Sequence, residues 1–269
     1  MADIVATFDG AMPDAYEAHL VPFMFGPCAD DFARRAAALN PSRVLEIACG
    51  TGIVTRRLRE ALPDTAITAT DLSDDMVAAA RTVMAGLEGI DYRQADGCDL
   101  PFDDAAFDMV ACQFGAMFYP DKVGGYREAL RVLQPGGALL FNVWDSFEHN
   151  RMAGIAHQVI SGFFDSDPPK FLKTPFGYND TDVITAQLAE AGFADIDHAV
   201  VRLDADAPTA RDLAYGLIHG NPNIAEIRAR GTAEPEKVVD AVARAFAAEA
   251  GDAPLRTSIQ CLVFSARKA

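Results

Sequence analysis

Short apolar runs alternate along the chain with stretches in which apolar residues recur every three or four positions. The runs predict strands near 43–48, 66–70, 91–95, 107–112 and 138–144, with helical or loop segments between them. This alternation implies an α/β protein with a doubly wound parallel sheet, because each crossover helix must bury its apolar stripe against one face of that sheet. Beyond Asp145 the pattern loosens, with helical stretches near 150–164 and 180–191, a strand near 194–203 and a last strand at 257–264. The stretch of about 207–252 between the two late strands is too long for a hairpin loop and predicts a helical insertion. Within it, the Ala-rich run 238–250 reads as helix propensity.

The first strand ends in Val44-Leu45-Glu46-Ile47-Ala48-Cys49-Gly50-Thr51-Gly52. Glycines at 50 and 52 let the backbone turn sharply and approach a ligand, and a helix opening near Ile53 aims unpaired N–H groups at an anion. Asp71 ends the second apolar run, where a carboxylate can accept hydrogen bonds from both hydroxyls of a ribose. Ser73-Asp74-Asp75 then caps a helix carrying Met76, Val77, Ala80 and Val83. Together these residues describe an adenosine-containing ligand that carries a small acid. The dinucleotide fingerprint would need glycine at position 55, where Thr55 stands, so NAD and FAD lose ground.

The segment resembles motif I of the class I S-adenosylmethionine-dependent methyltransferases, (D/E)-x-G-x-G-x-G, with Glu46, Gly50 and Gly52 in register and Ala48 replacing the first glycine. Alanine suits that position if no positive φ is needed there. The resemblance continues in order. Asp96, in Gln94-Ala95-Asp96-Gly97-Cys98-Asp99, looks like the family's acidic residue that receives the adenine amino group. Phe107–Gln113 resembles the fourth strand, and Leu130–Phe141 resembles the helix, Pro-Gly-Gly turn and fifth strand that close the core. The nearest look-alikes are small-molecule enzymes of the UbiE-like quinone C-methyltransferase group.

The resemblance implies a Rossmann-like seven-stranded sheet of order 3-2-1-4-5-7-6 with the last strand antiparallel. It divides the chain into an N-terminal cap at 1–32 and a methyltransferase domain at 33–269, with lid insertions at about 148–180 and 207–252. It implies that S-adenosyl-L-methionine, and its product S-adenosyl-L-homocysteine, are bound by Tyr16, Glu46, Ala48, Cys49, Gly50, Gly52, Asp71, Leu72, Met76, Asp96, Gly97, Gln113 and Phe114. Cys49 also reads as a small buried filler. The implied reaction is in-line methyl transfer to a small, aromatic or lipophilic metabolite. Two other readings stand beside it, a sensor that binds the same ligand without transferring methyl and a nicotinamide oxidoreductase.

Composition narrows the partners. A formal net charge of -16 would repel a phosphate backbone, which disfavours nucleic acid. Five cysteines without a C-x-x-C pair argue against a disulfide framework or zinc site and suit a reduced, cytoplasmic setting. No secretory signal and no membrane span is expected. The pattern names no oligomeric state.

An acceptor that must lose a proton needs a base, and the histidines are the first candidates. His149, after the fifth strand, and His219, in His219-Gly220-Asn221-Pro222-Asn223, are the two acceptor-side choices. His19, His157 and His198 read as structural, and His149 and His157 are too far apart in sequence to pair on a metal, so no catalytic metal is expected. Phe8, Tyr16, Phe23 and Phe25, with Phe114, Met117, Phe118 and Tyr119, could surround a sulfonium and an apolar acceptor, or simply pack the core. Phe163, Phe164 and Phe171 are further candidates for the acceptor side.

Overall fold

Seven strands form a single sheet in the order β3-β2-β1-β4-β5-β7-β6. They are β1 (Arg43–Ile47), β2 (Ala66–Asp71), β3 (Ile90–Gln94), β4 (Phe107–Gln113), β5 (Leu133–Trp144), β6 (Ala194–Asp204) and β7 (Ser258–Arg267). β1 to β5 pair in parallel, while β7 runs antiparallel to both β5 and β6. The computed structural model describes Gly10 and residues 12–269, so Phe8 lies outside the described residues. Among those residues no helix is long and apolar enough to cross a membrane.

Parallel central strands are covered on both faces, and their sequences show it: all of β1 after Arg43 is buried, as is every residue of β4 except Asp108. The crossovers are α3 (Ile53–Ala61), α4 (Asp74–Val83) and α5 (Lys122–Val132). Ser73 caps α4 by accepting a hydrogen bond from the Met76 N–H, as its position before two acids predicts. β5 starts earlier than the predicted 138: Leu133 already pairs with Phe107, then the register shifts across Gln134–Gly137, where Gly136 takes φ +76°.

Among the described residues two helices precede β1, namely α1 (Met12–His19) and, after a single π-type turn over Val21–Phe25, α2 (Gly26–Leu39). After β5 come α6 (Arg151–Ser161), a 3-10 turn at Phe171–Lys173 and α7 (Thr181–Ala191). The segment between β6 and β7 is helical, holding α8 (Ala210–His219), α9 (Asn223–Arg230) and α10 (Pro235–Ala250). α1 packs closely on α8: a Cβ built on Gly216 would lie 2.7 Å from the His19 carbonyl oxygen, and one on Gly220 would lie 3.1 Å from Tyr16 Cα. Only glycine admits that backbone approach.

Candidate active site

The parallel strands point their C-terminal ends at one cavity of about 810 Å³, where open α/β sheets bind ligands. Its wall includes Ala48 and Gly50 after β1, Asp71, Leu72 and Met76 at the β2–α4 junction, Asp96 and Gly97 after β3, and Gln113 and Phe114 at the end of β4. Tyr16 reaches it from α1. Ten of the thirteen sequence-predicted ligand residues thus share one space. Glu46, Cys49 and Gly52 stand behind it instead.

Each of those three has a separate structural job. Glu46 is 1% exposed and accepts a hydrogen bond from the Thr55 hydroxyl at 2.6 Å; burial lifts its carboxyl to about 8, so it is neutral at pH 7. Cys49 packs with Ala69, Val77, Ala80, Met84 and Tyr92, and burial raises its thiol well above the ordinary range, which leaves it inert. Gly52 takes φ +93° at the start of α3, where any side chain is strained, and the flexible end of Met84 fills the space a Cβ would take, its Cε 2.2 Å away. Gly50, by contrast, has only the Tyr16 ring beyond 3.8 Å, on the cavity side.

Ala48 departs from the sequence expectation. It takes φ +57°, a left-handed conformation that glycine would enter freely and alanine enters at a cost of roughly 1 kcal/mol. Its methyl occupies the space where a side chain on residue 115 would go, 2.5 Å from a Cβ built on Gly115. The glycine missing at 48 is matched by one at 115.

Asp71 shows how a carboxylate is prepared for a diol. One oxygen accepts the Gly50 N–H and the other the Ser73 N–H, each at 2.9 Å, and a carboxylate so held keeps acceptor capacity for a ligand. Burial raises its pKa, while the backbone N–H groups of Ser73, Gly50 and Leu72 oppose the rise. Asp96 uses one oxygen to accept the Cys98 N–H at 2.8 Å, which fixes the turn and leaves the other oxygen exposed. Leu72, half exposed at the rim, offers an apolar surface beside Asp71.

The remaining wall is aromatic. Phe114 stacks on Trp144 at 3.8 Å, Phe25 meets both rings edge-on, and Phe176 lies against the far side of the group, 5.8 Å from Trp144. Phe118 and Phe171 stack at 5.9 Å, and Leu20, Met24, Met117 and Leu172 fill between. Phe23, Phe163 and Phe164 are partly buried in the core and do not line the space. Trp144 and Phe176 were not among the sequence candidates; the position of Trp144 at a strand's C-terminal end is the signal that could have found it.

A pair of buried amides braces this wall. Asn142 Nδ2 donates to Gln113 Oε1 at 3.2 Å, and Gln113 Nε2 donates to the Phe25 carbonyl at 3.3 Å. The Phe114 N–H, at φ +56°, is held by the Asn142 side-chain and main-chain oxygens, both at 3.1 Å. The two strand ends and the N-terminal segment are therefore locked together.

Neither predicted base lies in the cavity wall. Asn150 donates to the Asp145 and Gln260 carbonyls and accepts the Gln260 N–H, shaping the turn after β5 so that His149 is thrown outward and exposed. His219 stacks on Tyr215, one helical turn earlier, and places Nε2 3.1 Å from Glu236 on α10; burial lowers its pKa, Glu236 pulling the other way. Leu217 and Asn221, also four apart, face the cavity from the same segment. Among the described residues no cluster of three or more His, Cys, Asp or Glu could hold a metal ion.

Comparison with known proteins gives the arrangement its relatives. A methyltransferase-domain family model matches residues 44–137. A demethylmenaquinone methyltransferase from Staphylococcus epidermidis is 30% identical over 65% of this chain and 76% of its own length. One from Deinococcus radiodurans is 38% identical over 40% of this chain, which spans 45% of that relative. The solved structure of Haemonchus contortus phosphoethanolamine N-methyltransferase 2 in complex with S-adenosyl-L-methionine superposes with a TM-score of 0.60, covering 95% of this chain and 56% of that one at 17% identity, a likeness of fold alone. The chain belongs to the class I S-adenosylmethionine-dependent methyltransferases of the UbiE-like type.

Proposed function

We propose that the protein transfers a methyl group from S-adenosyl-L-methionine to a planar, lipophilic ring of the reduced-quinone kind. The observation that carries this reading is the joining, in one cavity, of the motif residues Gly50, Asp71 and Asp96 to a wall of stacked rings. The residues present suit the cofactor: Asp71 keeps acceptor capacity for ribose hydroxyls, Asp96 keeps one oxygen for an adenine amino group, and Gly50 leaves room for close approach. S-adenosyl-L-methionine, when bound, supplies a methyl already activated on a sulfonium.

The chain's own task is then to hold, align and dehydrate. Phe25, Phe114 and Trp144 present the π faces and edges that a flat acceptor and a sulfonium both favour. Tyr16, whose hydroxyl burial keeps neutral far above pH 7, closes the side beside Gly50. α1 and α8 serve as the cover, with Thr51 donating to Glu17 at 2.5 Å to tie α1 to the glycine turn. With both candidate histidines outside the wall, the proton of the acceptor is left to solvent or to the acceptor's own ionisation. The relatives named for demethylmenaquinone support a naphthohydroquinone as the acceptor class.

The test is direct: the protein is incubated with S-adenosyl-L-methionine and a 2-unsubstituted 1,4-naphthohydroquinone kept reduced, and products are weighed by mass spectrometry. A ring-methylated product with S-adenosyl-L-homocysteine is expected. Tight cofactor binding by calorimetry without transfer to any ring compound would instead make it a sensor.

A further inference from the structure

Asn221 sits between α8 and α9 with 6% of its surface exposed, and it lines the cavity. Its Oδ1 accepts the Asn223 backbone N–H at 3.0 Å, and Asn223 is itself fixed by donating from Nδ2 to the Leu217 carbonyl at 2.9 Å. These two bonds settle which way the Asn221 amide points. Among the described residues its Nδ2 has no hydrogen-bond partner, nor is that atom sealed among the buried polar groups left unpaired. That N–H keeps contact with the cavity's solvent, and an apolar ligand that displaced the solvent without accepting from it would forfeit roughly 1–3 kcal/mol, a loss that a ligand oxygen avoids. Around it the wall is apolar, supplied by Leu20, Leu217 and the Phe25–Trp144 group.

We propose that Asn221 is the acceptor-recognition residue, donating from Nδ2 to an oxygen of the acceptor ring, a phenolate or enolate oxygen, and so selecting oxygenated rings over plain aromatic ones. The inference rests on the reading of the cavity as a methyl-acceptor site and names the polar contact within it. As the ring carbon bonds to the methyl, the sulfonium–methyl bond breaks and leaves its electron pair on sulfur as S-adenosyl-L-homocysteine; the oxygen's lone pair feeds the ring and takes on carbonyl character under the N–H donor, and loss of the ring-carbon proton to solvent restores the aromatic ring. A site built around one such donor rejects analogues that lack the oxygen, because the amide is then left unpaired.

The decisive variant is Asn221→Asp, which keeps the oxygen that accepts the Asn223 N–H and removes both donors. Asn221→Leu is the second variant, with thermal melting to verify its fold. Each is loaded with S-adenosyl-L-homocysteine, and binding of 1-tetralone, whose carbonyl can only accept, and of tetralin is followed by calorimetry at pH 8. The wild type should bind 1-tetralone about tenfold more tightly than tetralin, the worth of one buried hydrogen bond, and both variants should lose that preference while their S-adenosyl-L-homocysteine affinity is unchanged. Retention of the preference in Asn221→Asp, or its absence in the wild type, overturns the role of Asn221 while leaving the acceptor site standing. Failure of the wild type to bind either ring overturns the acceptor reading and the inference together.

Discussion

Glu46 is a carboxyl group walled off from water, and its proton makes stability depend on pH. The folded state holds that proton up to about 8, whereas the unfolded chain releases it near 4.5. Between those values the folded state binds the extra proton, so stability falls as pH rises, by about 1.4 kcal/mol per unit for this one group. Below the window both states are protonated and nothing is lost; above it the loss is complete. Glu46→Gln has no proton to lose, so its urea midpoint should gain on the wild type's steadily from about pH 5 to 8, and parallel profiles would mean the carboxyl is ionised at neutral pH. A second residue-scale prediction concerns the methyl exchanged between Ala48 and Gly115. Gly115→Ala should destabilise by about 1–3 kcal/mol through overlap with the Ala48 methyl and with Cys112 Sγ, which would lie 2.8 Å away. Adding Ala48→Gly should recover part of that by removing the clash and relaxing φ +57°, and simple additivity in the double variant would deny the contact. Motif spacing makes Gly50, Asp71 and Asp96 readable from sequence, whereas the places of His149 after the fifth strand and of His219 beside Gly220 and Pro222 mark a position in the chain without fixing which way the ring turns. Which face of α8 meets the cavity depends on its packing against α1, a contact between residues some two hundred positions apart that no local pattern encodes.

At the scale of elements, contacts couple α1 and α8 to the glycine turn. α1 touches that turn through Glu17 and Tyr16, α8 supports α1 through Gly216 and Gly220, and the Asn142–Gln113 amides hold the Phe25 carbonyl at the other end. A bulky residue at 216 must push α1 away, since its first carbon already meets a backbone oxygen at 2.7 Å. Gly216→Leu should therefore weaken S-adenosyl-L-homocysteine binding by about tenfold while the sheet stays intact, read by calorimetry beside hydrogen exchange. Faster exchange in α1 and α8 together, with β1 and β4 unchanged, is the expected signature; undiminished affinity would separate the cover from the cofactor. Each of the seven strands falls on a predicted run, although β5 opens at Leu133 and β7 continues to Arg267, beyond the runs predicted for them; the central strands, buried on their faces, write themselves as apolar segments, and β6 is legible by alternation instead. α1 and α2 were less readable: prolines and glycines break the periodicity there, and Pro27 at the start of α2 is a helix signal only once its frame is known.

At the scale of the whole molecule, the sheet divides into a parallel part that builds the cavity and an antiparallel hairpin that completes it. β6 hydrogen-bonds to β7 alone, and none of its eleven residues is fully buried. β7 is inserted between β6 and β5, although it follows β6 in sequence by the whole of α8, α9 and α10. On the ribosome this order leaves β6 waiting. At roughly 5–20 residues per second the strand spends a few seconds outside the tunnel with both edges bare, while β5 likewise shows an open edge where β7 belongs. Chains stopped before Ser258 should accordingly be captured by holdase chaperones or pellet, whereas those released beyond Arg267 should not, in a stalled-translation series. The late strand thus acts as the clasp of nascent-chain maturation, and aggregation during synthesis, rather than loss of the finished fold, is the first defect to be looked for in variants of β7.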